Sequence, residues 1–160
     1  MYKTRIDLSA SVRDKVIPLL QARLADSIDL FTQAKHAHWN VKGPSFIALH
    51  ELFDDIAEIV ADHSDLIAER ITALGWRADG TSRIVAAQSN LVEYPLELTT
   101  GMEHAAALAD RLAAFGKSVR EGIDRTTNFG DADTADLLTE VSRAIDKQLW
   151  LVEAHLQAER

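Results

Sequence analysis

The chain has 160 residues, of which 47 % are hydrophobic, with 7 Gly and 3 Pro. This length fits one domain with a sizeable core, residues 1–160, and the composition favours an ordered helical protein over a disordered or strand-rich one. The absence of Cys excludes disulfides, iron–sulfur clusters and thiolate zinc sites. Any bound metal must therefore be held by His, carboxylates, carbonyls and water. The formal net charge of −8 disfavours general attraction to a phosphate backbone and favours cations.

Membrane association is not expected from this sequence. No apolar run approaches the ~20 residues that a membrane span requires, and the N-terminal segment lacks the apolar stretch of a signal peptide. We therefore expect a soluble, cytoplasmic protein.

Two long helices are predicted in the first half of the chain. The first runs from about Ser11 to Trp39, where apolar residues recur every three or four positions, and Pro18 must fall in an early turn or kink it. The sequence Val41-Lys42-Gly43-Pro44 ends this helix. The second runs from about Ser45 to Leu74, and Gly75 suits the C′ position that follows it.

A crossover and a third helix follow. The helical pattern weakens from Trp76 to Tyr94, with a short helix predicted at about Ser82 to Gln88. Pro95 then predicts the first turn of a third long helix that reaches about Asp124.

The last part of the chain predicts a turn and a fourth helix. The turn covers Thr126–Gly130, and Asp131 or Asp133 can cap a helix that ends near Leu156. Two hairpins joined by a crossover of roughly twenty residues make an all-α, four-helix bundle of the one-crossover type. The short extra helix lies in that crossover.

The acidic residues of the second helix lie off its apolar face. With His50 at zero and successive residues about 100° apart, the apolar residues centre near about −80°. Asp54, Asp65 and Glu69 fall at about +40°, +60° and +100°. The side chains between them on this stripe are small: Ala57, Ala61, Ala68 and Thr72. Small side chains favour the close approach of another helix.

The spacing along this helix predicts a site shared by two chains. His50/Asp54 and Asp65/Glu69 are each i,i+4 pairs that can share one ion, but the pairs lie ~22 Å apart. An antiparallel copy of the helix, related by a two-fold axis, brings one pair of each chain to the other pair of its partner. His38, in the last turn of the first helix, can complete the site from the His50 side.

Two runs of the sequence resemble a known family. They are Lys35-x-x-His38-Trp39-Asn40-x-x-Gly43-x-x-Phe46-x-x-x-His50-x-x-x-Asp54 and Asp62-His63-x-Asp65-x-x-x-Glu69-Arg70. The resemblance is to the Dps family of ferritin-like mini-ferritins, the DNA-binding proteins from starved cells, and it covers nearly the whole chain. It continues in Thr134-Ala135-Asp136, Asp146-Lys147 and Leu149-Trp150.

The resemblance implies a ferroxidase, an enzyme that oxidises Fe(II). Its ligands are expected to be His38, His50 and Asp54 of one subunit with Asp65 and Glu69 of the partner, as in the dimer inferred above. The expected oxidant is hydrogen peroxide, with oxygen slower. The family also implies a hollow dodecamer that stores Fe(III) mineral and protects DNA and the cell from oxidative damage.

Several further residues have two interpretations. Four acidic residues at the start of the fourth helix resemble the family's iron uptake channel at a three-fold axis, or simply complement the helix dipole: Asp131, Asp133, Asp136 and Glu140. Trp39 either reduces oxidising intermediates or packs, and Lys35 either pairs with a ligand carboxylate or is solvated. The remaining histidines are interpreted as surface groups or as groups that support the site: His36, His63, His104 and His155.

Two other classes of function stay open. As a DNA condenser associated with the nucleoid, the protein would need basic tails. Only Lys3 and Arg5 precede the first helix and Leu156–Arg160 carry no basic run, so DNA binding is not expected. As a structural or signalling bundle, it would bind no metal, and the five-ligand pattern argues against this class.

Overall fold

The computed structural model describes residues 2–157, which form five helices. The helices are α1 (Ala10–Asn40), α2 (Phe46–Ala73), α3 (Ser82–Gln88), α4 (Gly101–Phe129) and α5 (Ala132–Leu156). The prediction for the C-terminal residues 156–160 falls partly outside the described residues. No helix in residues 2–157 combines the length and the apolar character that a bilayer span requires.

The helices pack as two hairpins. α1 lies chiefly against α2, α4 lies against α5, and the contact between α1 and α4 joins the two pairs. α3 packs on α1 within the long connection between α2 and α4. The predicted all-α, four-helix bundle with an extra crossover helix is therefore confirmed.

One apolar core runs through the bundle and fixes the faces of its helices. Phe53 of α2 and Phe115 of α4 are its largest fully buried side chains, surrounded by Leu and Ile residues of the long helices. Full burial of such a side chain stabilises the fold by about 1.5–3 kcal/mol. The α2 positions that this core leaves free include those of the predicted metal ligands.

The ends of α1 and α2 lie within one residue of their predicted positions. The Ser9 side chain caps α1 by accepting a hydrogen bond from the Val12 N–H at 3.2 Å, and Gly75 follows α2 with φ 88°. Pro18 does not lie in an early turn, because α1 begins eight residues before it. The proline sits inside the helix on its exposed side.

The predicted start of the third long helix is wrong. Pro95 lies in the connection, and α4 begins six residues later at Gly101. The reason is a capping box, in which the Thr100 side chain accepts from the Glu103 N–H and the Glu103 carboxylate accepts from the Thr100 N–H. Such a box satisfies the free N–H groups of a helix start, which proline does not do.

The predicted turn at residues 126–130 is also wrong, since α4 continues to Phe129 and only Gly130 leaves the helix. Thr126 is buried, and its hydroxyl donates to the carbonyl of Gly122 at 2.9 Å, so the helix interior tolerates it. Asp131 then caps α5 by accepting from the Thr134 N–H at 3.1 Å. Of the two caps considered, Asp131 is therefore the one used.

Candidate functional site

A short turn between α1 and α2 places His38 beside His50. Residues 41–45 reverse the chain, with Gly43 at φ 112°, a conformation that side chains disfavour. The turn is attached to the start of α4, because the Gly101 N–H donates to the Lys42 carbonyl at 3.0 Å. A Cβ at residue 101 would lie 2.5 Å from Cδ1 of Leu49, so glycine permits this close approach next to His50.

The two imidazole rings are locked by reciprocal hydrogen bonds. His38 Nδ1 lies 2.7 Å from the His50 carbonyl oxygen, and His50 Nδ1 lies 2.8 Å from the His38 carbonyl oxygen. The rings stack with centroids 3.7 Å apart. Since a carbonyl only accepts, each neutral ring must carry its proton on Nδ1, which leaves the Nε2 lone pair free. This is the tautomer that binds a metal through Nε2.

Asp54 lies one turn after His50 and forms an ion pair with Lys35 of α1. The hydrogen bond from the Lys35 ammonium lowers the pKa of the Asp54 carboxyl, and the nearby His38 adds to this effect against partial desolvation. Of the two interpretations of Lys35, the structure therefore shows the ion pair with a carboxylate, that of the predicted ligand Asp54. The carboxylate stays ionised without a metal, but an incoming cation must compete with the ammonium for it.

Asp65 and Glu69 lie farther along α2 and are exposed. Asp65 lines a shallow cleft of about 370 Å³ whose other α2 side chains include Ala61, Ser64 and Ala68. Of the predicted stripe of small residues, Ala61 and Thr72 are exposed and Ala68 is half-buried. The fourth member departs from the expected placement: Ala57 is 1 % exposed and belongs to the chain's own core.

The described part of a single chain contains no group of three or more His, Asp or Glu side chains that could hold a metal ion. The rings of His38 and His50 stack on each other, and the neighbouring Asp54 carboxylate forms its ion pair with Lys35. Asp65 and Glu69 lie about three to five helical turns from His50 and Asp54 on α2, a separation that a straight helix cannot close. The five predicted ligands thus form two half-sets on each chain.

Trp39 is 68 % exposed, so it does not pack in the core of its own chain. The Lys35 ammonium lies 5.9 Å from the centre of its ring. The indole also lines a cleft of about 540 Å³ together with His36 and Tyr94. Trp39 is therefore available either to another subunit or to a reactant at the neighbouring histidines.

The four acidic residues at the start of α5 have different surroundings. Asp131 is 1 % exposed and is held by Arg70 of α2 at 2.7 Å and by the Thr134 hydroxyl at 2.6 Å. These are the contacts of a helix cap. Asp133, Asp136 and Glu140 are exposed, and no ion pair engages them within residues 2–157.

Two histidines that were interpreted as surface or supporting groups are buried. His104 is fully buried and lies 2.8 Å from the Tyr94 hydroxyl through Nδ1, and His63 is 6 % exposed. The wheel of α2 already placed His63 within about 60° of the centre of the apolar face. That angle was the available signal of its burial. His36 and His155 are half-buried.

Comparison with known proteins first gives the class. The family model of the ferritin-like domain matches residues 17–160, in accord with the one-crossover bundle and the carboxylate-rich α2. The chain is thus a ferritin-like protein.

Individual relatives narrow this class. The "DNA protection during starvation protein" of Agrobacterium fabrum is 41 % identical over 156 residues, covering 98 % of this chain and 96 % of that protein. The Dps of Mycobacterium smegmatis, in its tetragonal form, superposes with a TM-score of 0.94 at 33 % identity, covering 99 % of this chain and 96 % of that one. DpsA14 from Streptomyces coelicolor has a TM-score of 0.93 at 33 % identity, covering 99 % and 93 %. The chain belongs to the Dps family.

Proposed function

We propose that this protein is a mini-ferritin that oxidises Fe(II) at sites shared between two subunits and stores the Fe(III) product as a mineral. The observation that carries the proposal is the His38–His50 arrangement, in which both rings keep a free Nε2 beside the Asp54 carboxylate. Imidazole and carboxylate together suit Fe(II), and carboxylate charge favours Fe(III) over Fe(II).

The partner subunit supplies the other half-set in this proposal. An antiparallel α2 related by a two-fold axis brings Asp65 and Glu69 of the partner to His38, His50 and Asp54, twice per dimer. The exposure of Ala61 and Thr72 along this side of α2 supports the close approach of a second chain. We propose in addition that the chain forms a single domain and that six such dimers assemble into a dodecamer.

The reaction pairs two Fe(II) ions with one peroxide molecule. Each Fe(II) gives up one electron, the O–O bond of the peroxide breaks, and both oxygen atoms end in water or hydroxide. No hydroxyl radical leaves the site, because the two electrons arrive together. Oxygen acts as a slower oxidant. Hydrolysis of the Fe(III) product then gives the ferric oxyhydroxide mineral and releases protons.

Three groups of residues support this reaction in the proposal. The Lys35 ammonium keeps the Asp54 carboxylate ionised until iron displaces the ammonium. Trp39 is a reductant for oxidising intermediates near His38. The exposed Asp133, Asp136 and Glu140 attract Fe(II) at a three-fold axis. Asp131 belongs to the same acidic region but acts chiefly as the cap of α5.

The shared site is tested by mixing inactive subunits. We expect His50→Ala and Asp65→Ala each to oxidise Fe(II) poorly when alone, since each change damages both sites of a homodimer. After subunit exchange, a mixed dimer contains one intact site and one site with both lesions. Statistical mixing should therefore restore about a quarter of the wild-type rate, measured from ferric absorbance after anaerobic Fe(II) loading and the addition of peroxide or oxygen.

The matched control mixes His50→Ala with Asp54→Ala. These two residues belong to the same half-set, so every site in the mixed dimer keeps one lesion and no activity should return. Mass spectrometry of the mixed assembly establishes that the subunits have exchanged. Exchange without recovery in the first pair, or equal recovery in both pairs, would contradict the shared site.

A further inference from the structure

A buried tyrosine and a buried histidine form a pair that the proposed ligand set does not include. The Tyr94 hydroxyl lies 2.8 Å from Nδ1 of His104, and the two rings stack with centroids 5.9 Å apart. Tyr94 is 5 % exposed and His104 is fully buried. A phenol that is hydrogen-bonded to an imidazole away from water can lose an electron and pass its proton to the ring in the same step.

The hydrogen bond of this pair runs from the Tyr94 hydroxyl to His104. The phenol has one proton to donate, and Nδ1 of His104 is its only acceptor among the described residues. A proton on Nδ1 would leave the buried hydroxyl without an acceptor, which is costly away from water. Burial lowers the pKa of the His104 imidazole, against a smaller opposite effect of the Leu98 carbonyl. The ring is therefore neutral at neutral pH and free to accept a proton.

The charges around Tyr94 favour loss of the proton together with the electron. Burial raises the pKa of the Tyr94 phenol above its ordinary value, so no phenolate forms beforehand. The Arg111 guanidinium lies 5.6 Å from the centre of the ring. It opposes the positive charge that the ring would gain by losing an electron alone. Transfer of the hydroxyl proton to His104 removes that charge and leaves a neutral tyrosyl radical.

Trp39 lies between this pair and the histidines of the proposed ferroxidase site. It follows His38 in the chain and lines the same cleft of about 540 Å³ as Tyr94. His36, one helical turn before Trp39 on α1, has its ring 5.3 Å from the Tyr94 ring, measured between centroids. The Lys35 ammonium, 5.9 Å from the Trp39 ring centre, disfavours a positive charge on the indole. This repulsion favours passage of the charge from Trp39 to Tyr94.

We propose that Tyr94 and His104 form a redox-active pair that takes up an oxidising equivalent from Trp39. One electron passes from Tyr94 to the indole radical cation of Trp39, while the phenolic O–H bond breaks and the proton is transferred to Nδ1 of His104. The products are a neutral tyrosyl radical, an imidazolium and a restored indole. The pair returns to its starting state when one Fe(II) ion gives up an electron, becoming Fe(III), and His104 returns the proton.

The role of this pair in iron oxidation rests on the proposed ferroxidase and concerns sites that hold one iron ion instead of two. Conversion of one peroxide molecule to two water molecules takes two electrons and two protons. A single Fe(II) supplies one electron, Trp39 supplies the other, and water supplies the protons. The pair then reduces Trp39 again. The oxidising equivalent thus comes to rest on a side chain that is almost fully shielded from solvent.

Photochemical oxidation of the assembled protein without iron tests the pair. A ruthenium polypyridyl sensitiser with persulfate as electron acceptor oxidises exposed indoles, and transient absorbance separates tryptophanyl from tyrosyl radicals. The chain has two tyrosines, so Tyr2→Phe leaves Tyr94 as the only one. In this background the tryptophanyl band should decay as a tyrosyl band grows. Tyr94→Phe should abolish the tyrosyl band.

Two tryptophan variants test the route to the pair. Trp39→Phe in the Tyr2→Phe background should remove most of the tyrosyl band. Trp150→Phe removes an indole of similar exposure, 61 % against 68 %, from a position on α5 outside the cleft. It should leave the tyrosyl band unchanged.

His104→Gln tests the proton acceptor, because an amide oxygen accepts a hydrogen bond but is not a base at neutral pH. This variant should lose the tyrosyl band, whereas His155→Gln, near the end of α5, should keep it. With His104 intact, the band should grow more slowly in D2O than in H2O, because an O–H bond breaks in the step. If His104→Gln does not assemble, this solvent isotope effect decides.

Electron paramagnetic resonance of freeze-quenched samples tests the role in iron oxidation. With less than one Fe(II) per proposed site and excess peroxide, the Tyr2→Phe protein should show a tyrosyl signal that Tyr94→Phe lacks. Absence of this signal would overturn the role of the pair in iron oxidation.

Four photochemical results would overturn the pair itself. They are the absence of a tyrosyl band, an equal yield in Trp39→Phe and Trp150→Phe, a band that persists in an assembled His104→Gln variant, and a growth rate that D2O leaves unchanged. None of these measurements uses iron or mixed subunits, so the pair and the proposed ferroxidase can fail separately.

Discussion

At the scale of single residues, the site depends on which nitrogen of each histidine carries the proton. The His50 carbonyl fixes Nδ1 of His38 as a donor, and the His38 carbonyl does the same for Nδ1 of His50. Both rings therefore present Nε2, and no metal is needed to orient them. A metal site arranged in advance loses less free energy on ordering its ligands when the ion binds. The α1–α2 turn thus positions the two predicted ligands, His38 and His50, through hydrogen bonds to backbone carbonyls.

Lys35 provides a prediction at the same scale. Its ammonium occupies the Asp54 carboxylate and repels a divalent cation, so Lys35→Gln should tighten Co(II) binding at pH 7 by roughly fivefold. Calorimetric titration of the assembled protein measures this change. Lys42→Gln removes the same charge from the exposed α1–α2 turn and serves as the control. Weaker binding in Lys35→Gln would mean that the lysine chiefly positions Asp54 and does not compete with the ion.

At the scale of secondary-structure elements, Asp131 connects the start of α5 to α2. It accepts from Arg70 and from both the N–H and the hydroxyl of Thr134 while almost fully buried. Asp131→Ala leaves the largely buried Arg70 without its carboxylate partner and should destabilise the fold by about 3 kcal/mol. Asp133→Ala, at an exposed position in the first turn, should change stability by less than about 0.5 kcal/mol. Thermal unfolding at one fixed protein concentration compares the two, and similar losses would contradict the capping role.

The capping box of α4 gives a prediction with a pH dependence. Thr100→Ala should destabilise the fold by about 1 kcal/mol at pH 7, whereas Thr99→Ala should have little effect because only its backbone N–H contacts Glu103. Hydrogen bonds from Thr100 lower the pKa of the Glu103 carboxyl below its ordinary value of 4.5.

The sign of the pH effect follows from that lowered pKa. The stabilisation by Glu103 is complete above its ordinary pKa and is lost as the pH falls through the lower, folded-state value. The difference between wild type and Thr100→Ala should therefore narrow on acidification. Thermal unfolding measured from pH 7 down to pH 3 tests this. A difference that stays constant over this range would remove Glu103 from the cap.

At the scale of the whole molecule, charge decides how the protein would protect DNA. The formal charge of −8 per chain, repeated in the proposed dodecamer, makes an anionic particle even after acids that face inward are discounted. Phosphate binding requires enough exposed Lys and Arg to release condensed counterions, and before α1 only Lys3 and Arg5 carry basic side chains. We therefore expect protection through the removal of Fe(II) and peroxide, without binding of the DNA.

The corresponding prediction uses plasmid nicked by Fe(II) and peroxide in ~150 mM salt, close to physiological screening. Wild-type protein should prevent nicking without shifting the plasmid in a gel run in the same buffer. A His38→Ala/Asp65→Ala double variant should lose the protection. A clear gel shift by the wild type, or protection that survives in the double variant, would favour a DNA-condensing protein instead.

The reliability of sequence-based prediction differed between elements for physical reasons. Apolar periodicity over long stretches gave the bundle and the ends of α1 and α2, because burial of one face dominates the energy of a long helix. It failed at both ends of α4. There a capping box at Thr100 outweighed the helix-start preference of Pro95, and α4 continues through the buried Thr126 to Phe129.

The sequence by itself determined where the three predicted carboxylate ligands lie around α2, because spacing along one helix is a local property. Asp54, Asp65 and Glu69 had to lie off the apolar face of α2 whatever the rest of the chain did. The sequence-based analysis left open whether Lys35 contacts Asp54 and did not predict that Asp131 binds Arg70, since each contact joins residues of different helices.

Only the tertiary structure decided the contacts that depend on the packing of one helix against another. The tautomers of His38 and His50 follow from the α1–α2 turn, which brings the carbonyl of each residue within hydrogen-bond distance of the other's ring. A cleft lined by His63 of α2 and Gln148 of α5 forms where these two helices meet. Hydrogen bonds and clefts of this kind depend on distances of a few ångströms between segments remote in sequence, and periodicity along a single helix carries no information about them.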